Sequence, residues 1–101
     1  MKSFEVEHGT PEEFVHRVRR ELSASGLDQY VELAADDSEL VVRVRWMGST
    51  ELHYRLESIG DGFRSILRGE RVSPFHAPFR HAFDERLDAV LANVGAKSLN
   101  V

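Results

Sequence analysis

The sequence predicts an α+β domain: a five-stranded antiparallel sheet, order 1-5-4-3-2, with two helices packed on one of its faces. Three observations predict it. Residues 40–68 alternate apolar and polar side chains, the period of strands with one buried face. Two other stretches repeat apolar residues at steps of three and four, the period of amphipathic helices. Short turn sequences separate the middle strands, leaving no room for the crossovers that parallel pairing needs.

Residues 3–8 read as a first strand with Phe4, Val6 and His8 on one face, broken by Gly9. Thr10-Pro11-Glu12-Glu13 then opens a helix, with Thr10 as N-cap, Pro11 at the first helical position and Glu13 completing a capping box. Phe14, Val15, Val18 and Leu22 form its apolar stripe, and Gly26 is the expected left-handed stop. Residues 29–35 form the next strand. An Asp37-Ser38 turn pairs Ala35 with Leu40, Leu33 with Val42 and Val31 with Val44, and sets Glu32 opposite Arg43 outside.

Strands over 40–47, 51–59 and 63–68 follow as a meander. A slip of one residue would turn every buried side chain outward, so parity selects the turns. A loop of Gly48, Ser49 and Thr50 pairs Trp46 with Leu52, Val44 with Tyr54 and Val42 with Leu56. For the second turn both Gly60-Asp61 and Asp61-Gly62 preserve the faces; Glu57 opposite Arg64 favours the first. Residues 69–72 then leave the sheet edge, and Ser73-Pro74-Phe75-His76-Ala77-Pro78 makes a stiff connection. A long helix from about 78 to 94 carries Phe79, Phe83, Leu87, Val90, Leu91 and Val94 on one face, ended by Gly95. The domain is expected to span 1–95, with 96–101 as a frayed tail.

At 101 residues the chain builds one modest core. Thirteen basic and 17 acidic side chains give a formal charge of −4, which argues against nucleic acid or an anionic membrane as the main partner. Without cysteine there is no disulfide, thiolate zinc site or cysteine nucleophile. No signal peptide or spanning segment is visible, so a soluble cytoplasmic protein is expected. No cofactor is implied, and no metal site, since no ligand spacing such as HExxH occurs.

Three regions offer candidate sites. On the outward sheet face, Tyr30, Arg45, His53 and Arg68 make one expected row, and Glu32, Arg43, Arg55 and Ile66 the next. Arg43, Arg45, His53, Arg55 and Arg68 thereby suggest a surface for an anion, an acidic protein partner or a second copy; the plainer reading is a solvated face neutralised by Glu32, Glu51 and Glu57. Around Phe75, His76, Phe79, Arg80 and His81, the connection forms either the mouth of a pocket or a plug of phenylalanines with wet histidines. Arg80 with Asp84 and His81 with Glu85 are expected surface pairs on the helix. Inside, His8, Trp46, Tyr54, Ser58 and Ser65 suggest a small pocket beneath the long helix, against the plainer reading of a satisfied core. Neither serine has a nucleophile elbow and no phosphate loop appears, so catalysis is not expected. The leading expectation is a non-catalytic binding or interaction module using the arginine-bearing face. The alternative is a carrier of a small hydrophobic ligand between the C-terminal helix and the sheet.

The element order resembles the β-α-β4-α plan of the TATA-binding-protein-like folds, a reduced cousin of the helix-grip domains. With His8 after the first strand, and Leu67 and Pro74-Phe75 leading into the last helix, the chain also resembles a family of small proteins assigned to polyhydroxyalkanoate systems. The resemblance implies a topology, not an activity. Against the fold's DNA-binding member, the outer face lacks the phenylalanine wedges that kink a minor groove.

Overall fold

A computed structural model describes residues 3–99. Its elements are β1 (Phe4–Val6), α1 (Pro11–Ala24), β2 (Val31–Ala35), β3 (Glu39–Arg45), β4 (Ser49–Ile59), β5 (Gly62–Arg71), a 3-10 turn (Ala77–Phe79), α2 (Arg80–Asn93) and β6 (Ala96–Ser98). All strands join one antiparallel sheet, ordered β2-β3-β4-β5-β1-β6. The expected order 1-5-4-3-2 is contained in it, but the sheet has six strands. Residues 96–98, expected to fray, pair instead with β1, Val6 opposite Ala96 and Phe4 opposite Ser98. Backbone groups of β1 left open by β5 find partners there, and Lys97 reaches Glu7.

Local chemistry explains the first half. The Thr10 hydroxyl accepts from the Glu13 amide at 3.2 Å, and Pro11 fills the first helical position. Phe14, Val15, Val18 and Leu22 are the buried residues of α1, as the spacing predicts. Past its end, Gly26 takes φ +72° and the Leu27 amide donates back to the Leu22 carbonyl at 2.8 Å, closing the helix in a Schellman turn. The β2–β3 register is the expected one, from Ala35 opposite Leu40 to Val31 opposite Val44. Asp36 fixes that turn: its carboxylate accepts from the Ser38 and Glu39 amides, both at 2.8 Å, which holds it below the usual carboxylate range.

The β3–β4 hairpin departs from the expectation. Val44 faces Thr50, Val42 faces Leu52 and Leu40 faces Tyr54, a slip of four residues that keeps every face. The three-residue loop is Trp46-Met47-Gly48, with φ +52° at Met47 and +135° at Gly48. Trp46 therefore leaves the strand and packs on the C-terminal connection. The Gly60-Asp61 turn is as favoured, with Glu57 opposite Arg64. Beyond it, β5 does not leave at residue 68 but runs to Arg71 across a bulge opposite His53 and Tyr54. Leu67 faces Tyr54 and Gly69 faces His53, so Arg68 is the extra residue. The bulge reverses parity and turns Glu70 toward the helix side, where Arg80 pairs with it.

Both helices seal one face. Leu87, Val90 and Leu91 of α2 join the α1 stripe over Leu40, Val42, Val44, Leu52, Leu56 and Phe63 in a single core. Phe14 bridges Phe4 and Phe63 at ring-centroid distances of 5.4 and 5.5 Å. Each such side chain contributes ~1.5–3 kcal/mol by leaving water.

Candidate functional site: an aromatic cleft beside α2

Register decides the fate of the arginine face. Arg43 lies between Glu32 and Glu51 across the strands, not opposite Arg55 as expected. Its guanidinium is 3.4 Å from Glu51 and 3.9 Å from Glu32, while Arg45 is 3.5 Å from Glu32. Arg55 pairs with Glu57. His53 is held by Glu39 at 2.9 Å and Glu51 at 3.2 Å; these bonds, the Glu39 bond foremost, raise its pKa above the usual value. Arg68 is exposed at the bulge, away from the row assigned to it. Arg43, Arg45, His53 and Arg55 do share the outward face, but as a lattice of opposite charges. Three of the four arginines are already matched by glutamates.

The residues expected in one inner pocket are dispersed. His8 is exposed, because β1 ends at Val6 and the chain bends before Gly9. Ser58 is exposed near the hairpin end, and Ser65 is fully buried opposite Phe4 and Leu56 with its hydroxyl unpartnered. Tyr54 is sealed in the main core beside Phe4, its hydroxyl also unpartnered. Burial first, then the charges of Asp88, Asp84 and Glu70, push the Tyr54 phenol well above its ordinary range. Phe75 lies outside, 64% exposed. No hydrogen bond joins His8, Ser58 and Ser65, and no His/Asp/Glu group suited to a metal ion occurs among the described residues.

Trp46, His76 and Phe79 do come together. His76 is 1% exposed, neither wet nor at a pocket mouth. Its Nδ1 lies 2.6 Å from the Thr50 hydroxyl and its Nε2 donates to the Trp46 carbonyl. Thr50 also accepts from the Ser73 amide at 3.1 Å, so its proton is free to go to Nδ1. The imidazole lies parallel to the indole, with Phe83 edge-on to both rings and Phe79 edge-on to the indole. His76 thus clamps the β3–β4 loop to the connection before α2.

Against this clamp opens a cleft of about 390 Å³ between α2, β3 and the start of β2. Trp46, Phe79, Phe83, Tyr30 and Leu87 provide its main walls, with Ala82 and Arg86 on the helix. Tyr30 had been expected in the outer arginine row. The Leu27 carbonyl instead accepts from the Tyr30 and Val31 amides, which keeps Tyr30 in a turn and on the cleft. Trp46 is 40%, Tyr30 38% and Phe79 50% exposed, so the apolar surface is open to solvent. Phe83 was legible as part of the helical stripe. Arg86 and Ala82 were not, since only the helix's placement over β3 brings them to the wall.

No family model matches the chain, and neither a curated protein nor a solved structure does. No helix among the described residues is long and apolar enough to cross a membrane.

Proposed function

We propose that this chain is a non-catalytic binding module whose site is the aromatic cleft, taking a small molecule with an apolar body. The observation that carries the reading is the cleft itself: about 390 Å³, walled by Trp46, Phe79, Phe83 and Tyr30. That size is within the range of small-molecule sites, ~300–1,000 Å³. Exposed aromatic rings cost solvation free energy that a bound apolar group recovers. The clamp on Trp46 supports a site formed before the ligand arrives, which lowers the entropy cost of binding.

A partner docked on the outer sheet face, a second copy included, has weaker support. Arg43, Arg45 and Arg55 would have to exchange their glutamates for the partner's acids, a near-even trade at a wet surface.

The chain's single tryptophan lies in the proposed site and serves as the reporter. Titration with decanol, below its solubility limit, is expected to change Trp46 emission saturably. Ala82→Phe, which fills the wall without touching the core, is expected to abolish the change. Absence of any saturable response in the unmodified protein would remove this reading.

A further inference from the structure

We infer that the cleft selects a small amphiphilic carboxylate, with its apolar body against Trp46, Phe79 and Phe83 and its head on Arg86. This rests on the binding reading above and specifies its ligand class.

The charge distribution argues for it. The chain carries 17 acidic residues and a net charge of −4, yet no acidic side chain lines this cleft. The polar side-chain ends on its walls are the Arg86 guanidinium, the Tyr30 hydroxyl and the Trp46 indole N–H, all of which donate. A second concavity of similar volume, about 410 Å³, has the opposite character. Glu12, Asp36, Asp37 and Glu57 line it and would repel an anion.

Arg86 is also uncommitted. Among the described residues its side chain makes no hydrogen bond or ion pair, and neither does that of Tyr30. The sequence gives the reason. Positions three and four away on the helix are Ala82, Phe83, Ala89 and Val90, none of which offers a carboxylate. Arg80, less than two turns earlier, is by contrast held by Glu70 and by Asp84 at 3.7 Å. A guanidinium beside apolar walls binds a carboxylate through two parallel hydrogen bonds, and partial exclusion of water strengthens them. A neutral apolar molecule would leave that cation facing the ligand without a counter-charge.

Decanoate and decanol separate the two parts of the reading. Each is titrated at pH 7 and below its aggregation concentration, following Trp46 emission and heat of binding. Decanoate is expected to bind about 5- to 10-fold more tightly than decanol, the gain of one partly exposed charge-assisted contact. Arg86→Gln is expected to remove that preference, bringing decanoate affinity down to that of decanol; Arg86→Lys is expected to retain part of it. Equal affinity for the two probes, or a preference that survives Arg86→Gln, overturns the carboxylate inference and leaves the cleft reading standing. Failure of both probes to bind overturns both. Circular dichroism of each variant confirms that the exposed substitution has not altered the fold.

Discussion

The carbonyl of Trp46 accepts a hydrogen bond from the ring of His76, and the same two residues lie ring over ring at 13° and 6.2 Å. One buried imidazole therefore holds both the backbone and the side chain of the loop residue that forms the cleft wall. Thr50 completes the arrangement by bonding the other ring nitrogen and the Ser73 amide.

His76→Ala is expected to cost ~2–4 kcal/mol, since it empties a buried site and strands the Thr50 hydroxyl and Trp46 carbonyl. Trp46 emission should move to longer wavelength as the indole loses its cover. Denaturant unfolding and emission spectra measure the two effects together. An unaltered midpoint with unaltered emission would refute the clamp.

Gly62 approaches β1 so closely that a Cβ there would overlap the Val6 carbonyl oxygen and the Glu7 backbone. Gly62→Ala is expected to destabilise by several kcal/mol, of order ~3, because backbone atoms cannot yield as a side-chain tip can. Gly60 has open space around it and only its φ of +54° to satisfy. Gly60→Asn should therefore cost ~1 kcal/mol or less. A comparison of the two unfolding midpoints decides; similar costs would mean that β1 does not lie where described.

On the outer face, Arg43 is the charge between two glutamates. Arg43→Glu places three carboxylates in a row and is expected to destabilise by ~1–2 kcal/mol, with partial recovery in 1 M salt. Arg55→Ala, removing one exposed pair, should stay within ~0.5 kcal/mol. Equal effects of the two variants would contradict the register that puts Arg43 between Glu32 and Glu51.

His53 gives the face a pH dependence. Its pKa is raised above the usual imidazole value of 6.5 by the bond to Glu39, aided by Glu51. A raised folded-state pKa means that the protonated ring stabilises the fold. That contribution is full below about 6.5, provided the glutamates stay ionised, and is lost as pH rises through the folded value. Between pH 5.5 and 8.5 the unmodified protein should lose a few tenths of a kcal/mol relative to His53→Gln, a solvent-screened amount. A gap between the two proteins that widens with rising pH would reverse the sign and exclude the pairing.

Local signals carried much of the fold. Thr10, Pro11 and Glu13 specify the start of α1 from within four residues, and Asp36 specifies its own turn. Parity carried the meander, because burial on one face allows a register to slip only in steps of two. That same tolerance is why the β3–β4 register differs from the expected one: slipping by four, two such steps, leaves Val42, Val44 and Leu52 inside in either case. What selected between them was Trp46, whose ring contacts come from residues 76, 79 and 83. The β6 pairing was equally hidden, since a three-residue strand has no measurable period.

The amino-acid sequence by itself determined which residues alternate, which helix faces are apolar, where the helices begin and stop, and that the outer face bears charge. Those properties depend on neighbours a few residues apart. Only the tertiary structure decided that Arg43 faces Glu51 rather than Arg55, that Tyr54 is sealed away while Tyr30 is exposed, and that Arg86 stands unpaired beside Trp46. Each of these depends on which distant segments touch, and the free energy of such contacts is set by the packing of the whole core.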